Sequence, residues 1–194
     1  YMKYTKKGVY NPITGLYELW MTMIDLLNKR QSCRNFDPNK EVPKEILEEI
    51  LEAARLSPSA CNAQPYQFVV ARGEEARFVA SCRRHGLNKF IENCPAFILI
   101  FEESYNATAA LGSKLQDQDY RSVDIGIATA FMSLRAEELG LGSCILGYFD
   151  EPKLRKHFKI KKRLRIILAL GYAHPGELQR SKKRKTQEEL TIWV

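Results

Sequence analysis

The chain has 194 residues, 45% hydrophobic and 27% charged, with 30 lysines and arginines against 23 acids. That balance excludes a disordered chain and suits one globular domain, or one large enough to share a core with a twin. No apolar run reaches the roughly 18–20 residues of a membrane span.

The first residues, "YMKYTKKGVYNPITG", are basic but lack the apolar core of a signal peptide. Leu16–Lys29 crowds apolar residues at helical spacing and is expected to be a buried helix. Val42–Leu56 is the clearer helix, with Val42, Ile46, Leu47, Ile50, Leu51 and Ala54 on one stripe and glutamates opposite. "YQFVVA" reads as a strand, "EEARFVASCRR" as a short helix and Pro95–Phe101 as a buried strand. Residues 102–119 show no period and are expected to form a loop or mobile excursion. Tyr120–Leu139 is the longest helix, with Val123, Ile127, Ala130, Phe131 and Leu134 as its apolar face and Gly140 closing it. "SCILGYF" and "LRIILALGY" are two more strands, separated by the helical "DEPKLRKHFKI". Alternating helices and strands imply a sheet flanked by helices; pattern alone leaves the strand order open.

Five cysteines, an odd number without C-x-x-C spacing, imply free thiols in a reducing, cytoplasmic setting, and no zinc signature is present. The positive charge is concentrated in Lys153–Arg165 and Arg180–Lys185. No helix-turn-helix, zinc-finger or RNA-binding aromatic pattern accompanies these runs, so nucleic acid is not the expected partner. His85, His157 and His174 are scattered without ligand spacing, and no dinucleotide fingerprint, Walker loop or nucleophile elbow occurs.

Two stretches carry more polar chemistry than connectors need. In "KRQSCRNF", Arg30, Ser32 and Arg34 alternate, so an extended backbone puts two guanidiniums and a hydroxyl on one side, an arrangement suited to an anion. A surface arginine pair at a helix end is the competing reading. "SPSACNAQPYQF" packs Ser59, Asn62 and Gln64 between Pro58 and Pro65, with Ser57 just before them, a turn braced to present hydrogen-bonding groups.

Taken together, "RQSCRNF", "ILEAARLSPSACNAQPYQFVV", "DIGIATAFMSLRAEELGLGSCILGYF" and "ALGYAHPGELQRSKKRKTQEEL" resemble, in order and spacing, the FMN-dependent nitroreductase family over about Leu16–Leu190. The resemblance implies an α+β, three-layer α/β/α fold with a central, mostly antiparallel sheet in an intertwined homodimer whose active sites lie at the interface. It implies bound FMN, NADH or NADPH as hydride donor, and an electron-poor small-molecule acceptor such as a nitroaromatic or quinone, served in alternation on one ring face. Arg30, Gln31, Ser32 and Arg34 match the family's first flavin-contacting segment. Pro58, Ser59, Ala60, Asn62 and Gln64 match its interface turn. Ile145, Leu146 and Gly147 match a segment whose backbone amides face the reactive ring, and Lys182 and Arg184 match basic residues that close on the phosphate. Asn88 or Lys89 in "GLNKF" occupies a place where relatives put a residue near the ribityl chain or ring. No side chain is nominated as catalytic acid or base, because the flavin carries the redox chemistry. Residues 1–15 have no family counterpart and form an N-terminal arm of unknown role; 16–194 is the flavin-binding domain, with a variable lid near 102–119 and a C-terminal arm, 174–194. A flavin-storing or regulatory protein with little turnover, or a deiodinase-like enzyme using Glu102, Tyr105 and Lys114 in the lid, are the alternatives on this scaffold.

Overall fold

A computed structural model describes Val9–Asn11, Leu16–Glu18 and residues 22–194. Val9–Asn11 (β1) and Leu16–Glu18 (β2) pair antiparallel, with Tyr10 opposite Tyr17. This corrects the expected helix over Leu16–Lys29, which is confined to Met23–Lys29 (α1). Thr22 starts it: the threonine hydroxyl accepts from Asp25 N–H at 3.1 Å and the Asp25 carboxylate accepts from Thr22 N–H at 3.2 Å. That reciprocal cap fixes a helix start which apolar crowding upstream conceals. Apart from the backbone of β1, the expected N-terminal arm lies outside the described residues.

The chain continues through α2 (Lys44–Arg55), β3 (Tyr66–Arg72), α3 (Gly73–Ser81), β4 (Ala96–Glu102), α4 (Ala107–Gln116), α5 (Tyr120–Glu138), β5 (Gly142–Leu146), α6 (Glu151–His157), β6 (Leu164–Gly171) and α7 (Gln187–Leu190). The last four strands before α7 form one antiparallel sheet in the order β3–β4–β6–β5. β4 is its buried spine, and its side chains alternate between the two faces as strand geometry requires. Ala96, Ile98 and Ile100 pack with Leu47, Ile50 and Ala54 of α2 and Ile125, Ala128 and Met132 of α5. Phe97, Leu99 and Phe101 pack on the other face with Ala76, Val79 and Ala80 of α3 and Leu154 of α6. Each fully buried aliphatic or aromatic side chain contributes about 1.5–3 kcal/mol, so the two faces together hold the α/β/α layers.

After α1 the chain lies along the sheet edge. Ser32 pairs in parallel with Ser143 of β5, and Phe36 bridges to Ala173 beyond β6. Glycines make this approach possible. A Cβ on Gly142 would stand 2.6 Å from Cys33 Cβ, and one on Gly171 would stand 2.9 Å from Phe36 Cδ1. The basic segment is thereby seated on β5.

One further expectation changes. Residues 102–119 are not wholly loop, because α4 occupies their middle. Asn106 caps it, its Oδ1 accepting from Ala109 N–H at 2.8 Å, and only Ala109 is buried; so small an apolar face gives no period to read. In α5, the face packed on the chain's own sheet carries Asp124, Ile125, Ala128, Thr129, Met132, Ser133 and Ala136. The apolar stripe read from the sequence lies on the other side, with Val123, Ala130 and Phe131 exposed and Ile127 and Leu134 half-buried. Hydroxyls on the inner face can be buried because Thr129 Oγ1 donates to Ile125 O at 2.6 Å and Ser133 Oγ to Ala130 O at 3.2 Å.

Candidate functional site

The two basic stretches, about 150 positions apart in the chain, meet in space. Arg30, Gln31, Ser32 and Arg34 line one cleft of about 350 Å³ with Arg180, Ser181, Lys182, Lys183 and Arg184. Polar bonds strap the C-terminal arm to α1 and the segment that follows it. Gln31 is gripped at both ends of its amide: Nε2 donates to Leu178 O at 3.1 Å, and Oε1 accepts from Arg180 N–H at 3.0 Å. Gln179 Nε2 donates to Lys29 O at 3.0 Å and Lys182 Nζ to Leu27 O at 2.7 Å, carbonyls that the end of α1 leaves without helical partners. Arg180 donates to Ser32 O and, at 2.8 Å, to Glu177, whose carboxylate also accepts from Arg34 N–H at 3.2 Å.

Charge in this cleft is unbalanced. Among the described residues, Arg30, Arg34, Lys182, Lys183 and Arg184 form no ion pair with an acidic side chain; the cleft's one paired cation is Arg180, held by Glu177. Lys182's ammonium is pushed below the ordinary lysine value by desolvation and then by the charges of Arg30 and Arg184. Cys144 lies behind the cluster: burial raises its thiol pKa, while Arg34, a bond from Ser32, Arg180 and Arg30 oppose the rise. Three roomier hollows lie elsewhere: those of about 480 and 520 Å³ mix glutamates with arginines, and one of about 490 Å³ is lined by Arg155, Lys156, Lys159 and Lys161, its one guanidinium engaged by Glu151 and the Lys161 carbonyl. A cleft of unopposed guanidiniums and ammoniums suits a doubly charged phosphate group.

β5 leads from this cleft to Ile145–Gly147. Ile145 is 45% exposed on the sheet edge while Leu146 is buried. A Cβ built on Gly147 would meet nothing within 4 Å, so the backbone there borders open space. Asn88 approaches the same place, Nδ2 donating to Tyr148 O at 3.3 Å, and His85 Nδ1 is hydrogen-bonded to the Tyr148 hydroxyl.

The proline-bounded turn lies elsewhere. It precedes β3, at the edge of the sheet opposite β5, and three inter-strand spacings of about 4.8 Å put those edges about 14 Å apart. Within it Cys61, Asn62 and Gln64 adopt left-handed conformations, with φ of 50°, 52° and 46°. Gln64 N–H donates to Ser59 Oγ at 3.0 Å, and Gln64 Nε2 to Asn62 Oδ1 at 3.1 Å. Ala60 N–H donates to Asp124 Oδ1 at 3.1 Å, and Asn106 Nδ2 donates to Cys61 O at 3.0 Å. One chain therefore brings Arg30, Gln31, Ser32, Arg34, Lys182 and Arg184 together and sets Ile145, Leu146 and Gly147 along the same strand edge. It holds Pro58, Ser59, Ala60, Asn62 and Gln64 apart from them.

The segment expected to be a lid, residues 102–119, is rooted in a second charged cluster. Arg165 and Arg121 both reach Glu102 and Asp119: Arg121 to Glu102 at 2.7 Å and to Asp119 at 3.0 Å, Arg165 to Asp119 at 2.9 Å and also to Glu102. Tyr105 Oη donates to Asp119 at 3.2 Å and Ser122 Oγ to the same carboxylate at 2.8 Å. Partial burial works against ionisation of Asp119, but the bonds from Ser122 and Arg121 and the charges of Arg121 and Arg165 outweigh it and hold the carboxyl well below its usual range. Glu102 and Tyr105 are thus engaged in anchoring the lid, while Lys114 lies exposed on α4.

Sequence reasoning omitted three neighbours of these sites. Arg180 and Lys183 belong to the same basic run as Lys182 and Arg184, a signal that was available. Asp124 sat in an apolar helical pattern that gave no hint of its contact with Ala60. All five cysteines are free thiols, four of them buried. No group of His, Cys, Asp or Glu able to hold a metal occurs among the described residues, and none of their helices is long and apolar enough to cross a membrane.

Comparison with known proteins adds the following. The profile of the nitroreductase family matches residues 27–83 and 75–172. A putative NAD(P)H nitroreductase of Staphylococcus aureus is 38% identical, over 89% of this chain and 96% of its own. An oxygen-insensitive NADPH nitroreductase of Helicobacter acinonychis is 27% identical, over 82% of this chain and 91% of its own. The solved structure of an FMN-dependent nitroreductase from Clostridium difficile superposes with a TM-score of 0.65 at 28% identity, covering 86% of this chain and 94% of that one.

Proposed function

Because the chain belongs to the nitroreductase family, we propose that it is an FMN-dependent oxidoreductase that passes hydride from NADH or NADPH to an electron-poor small molecule, a nitroaromatic or a quinone. The observation that carries this reading is the cleft of unpaired cations built from both ends of the chain, which fits the phosphate of a mononucleotide. Relatives named for FMN, for NADPH and for NAD(P)H support it. Bound flavin supplies the hydride chemistry; the protein binds, orients and excludes water. Arg30, Arg34, Lys182 and Arg184 hold the phosphate, with Gln31 and Ser32 beside it. The open backbone of Ile145–Gly147 offers its amides to the ring, and Gly147 leaves room for that approach. Pro58, Ser59, Ala60, Asn62 and Gln64 supply fixed polar groups around the flavin at little ordering cost.

The turn reaches the cofactor from a second copy of the chain, with the active sites at the interface of a homodimer. Within one chain Asp124, beneath the turn, and Glu137, beside Lys29, are separated by about 20 Å of α5 at 1.5 Å per residue. The outward stripe of Val123, Ala130 and Phe131 is the apolar surface such a partner covers. The two half-reactions then alternate at one ring face, in a ping-pong sequence.

The test is purification followed by anaerobic addition of NADH or NADPH. Expected are a flavin absorbance spectrum, its bleaching by one or both nucleotides, and reoxidation by quinones or nitroaromatics. A colourless protein that takes up no FMN overturns the reading, and bound FMN that neither nucleotide bleaches marks a storage protein instead.

A further inference from the structure

We infer that Asp124 and Asn106 are the positioning residues of the Pro58–Pro65 turn, setting the affinity for the flavin without touching it. The inference rests on the proposed flavin site and goes beyond it, because neither residue belongs to the polar groups that the turn presents.

The turn is conformationally expensive. Cys61, Asn62 and Gln64 all have positive φ without being glycine. Each left-handed residue with a Cβ costs on the order of 1–2 kcal/mol, and such backbone persists only where its surroundings over-determine it. Bonds inside the turn supply part of that constraint: Asn62 N–H donates to Ser59 O and Ala63 N–H to Ala60 O, both at 3.0 Å. Two side chains from outside supply the rest. Asp124, near the start of α5, accepts from Ala60 N–H. Asn106, at the start of α4, donates to Cys61 O. The groups they hold flank the first left-handed residue.

The cost of the Asp124 contact shows that it is not incidental. The residue is 2% exposed, and Oδ2 is buried with no hydrogen-bond partner among the described residues. A half-satisfied buried carboxyl is destabilising, and a helix facing a hydrophobic sheet has no packing need for one. Its one bond is to the turn. Asn106 is fixed as firmly, since its Oδ1 caps α4 at Ala109 N–H while its Nδ2 holds the turn. One amide therefore joins the lid helix to the cofactor turn, so that a change in lid position reaches the flavin site through Asn106.

The experiment is fluorescence titration of flavin-depleted protein with FMN, comparing wild type with Asp124→Ala, Asp124→Asn, Asn106→Ala and Asn106→Asp, with melting curves of the flavin-free proteins as a folding control. Asp124→Ala is expected to raise Kd roughly five- to ten-fold, the worth of one buried hydrogen bond. Asp124→Asn keeps the acceptor and stays within about two-fold of wild type on the same scale. Asn106→Asp keeps the cap on α4 but puts an acceptor opposite Cys61 O, so it weakens FMN as much as Asn106→Ala while the flavin-free melting point holds. Wild-type affinity in Asn106→Asp, or an Asp124→Asn variant as weak as Asp124→Ala, overturns the inference. Because Asn106 is exposed, its variants decide the matter even where Asp124→Ala does not fold. Wild-type protein that binds no FMN overturns the functional reading itself, a separate outcome.

Discussion

Two clusters of arginine sit in this molecule, and they differ in what balances their charge. At the lid root, Arg121 and Arg165 are each bonded to Glu102 and Asp119, so the cluster is internally neutral and closed. In the cleft, Arg30, Arg34 and Arg184 stand with Lys182 and Lys183, while Glu177 is occupied by Arg180 and the nearby Glu137 by Lys29. Arginine is present in both places; the missing counter-charge is what supports the proposal that one is a ligand site and the other a structural brace. An arginine whose fork is filled by carboxylates holds the chain together, whereas one left without them repels its neighbours until an anion arrives.

The largest expected effect breaks the cleft alone. Arg34→Ala removes charge-assisted bonds worth about 1.5–3 kcal/mol, so FMN Kd rises roughly ten- to a hundred-fold while the melting point of the flavin-free protein changes little. An unchanged Kd by fluorescence titration would move the phosphate elsewhere. Next comes Phe131→Asp, which puts a charge on the outward stripe of α5; gel filtration is expected to show a monomer with weakened flavin binding, because the turn and the cleft no longer meet across the interface. A flavin-saturated monomer would break that part of the proposal.

The lid root gives the converse result. Asp119→Ala leaves two arginines with one fewer partner, and since the carboxylate is partly exposed the loss is about 1 kcal/mol, or 2–4 °C in Tm at this chain length. FMN affinity is expected to hold, because Asn106 keeps its bonds to Ala109 N–H and Cys61 O and so keeps the turn in place. The Asp119 carboxyl titrates below its ordinary range, so this stabilisation is present above the usual aspartate pKa of about 4 and is lost as pH falls through the folded value. The melting-point gap between wild type and variant therefore closes in acid. Asp124 gives the smallest effect, with the opposite sign. Burial raises its pKa, opposed by the Ala60 bond, so wild type loses stability as pH rises from the ordinary aspartate value through the folded one. Asp124→Asn does not titrate, and its melting point is expected to gain on wild type from acid toward neutral pH.

Legibility followed the strength of the local signal. β4 was readable because a run such as "AFILIF" buries both faces at once. α2 was readable because its apolar stripe is clean. α4 was not, since one capping asparagine and one buried alanine hold a helix that periodicity cannot see. α5 was readable as a helix, but it carries apolar residues on two faces, and periodicity did not say that Val123 and Phe131 point away from the chain's own sheet. At the site, "RQSCR" and "SKKRK" were each visible as basic, but that they line one cleft follows from Gln31, Gln179 and Lys182 binding backbone across the chain. Asp124 was invisible because its partner is a backbone N–H sixty-four positions away.

By itself the sequence determined which groups are available: alternating helices and strands with enough apolar surface for a packed core, two arginines flanking a serine in an R-x-S-x-R run, a second basic run near the end, and a turn pinned between prolines. Those are properties of composition and short-range spacing, and short-range sterics and hydrogen bonding enforce them. Tertiary structure decided which of those groups meet. Strand order placed the turn and β5 on opposite edges, the face of α5 turned inward left the other exposed, and the distribution of carboxylates made one arginine cluster a brace and left the other without acidic partners. Such outcomes depend on distances between residues far apart in the chain, which only the packed sheet fixes.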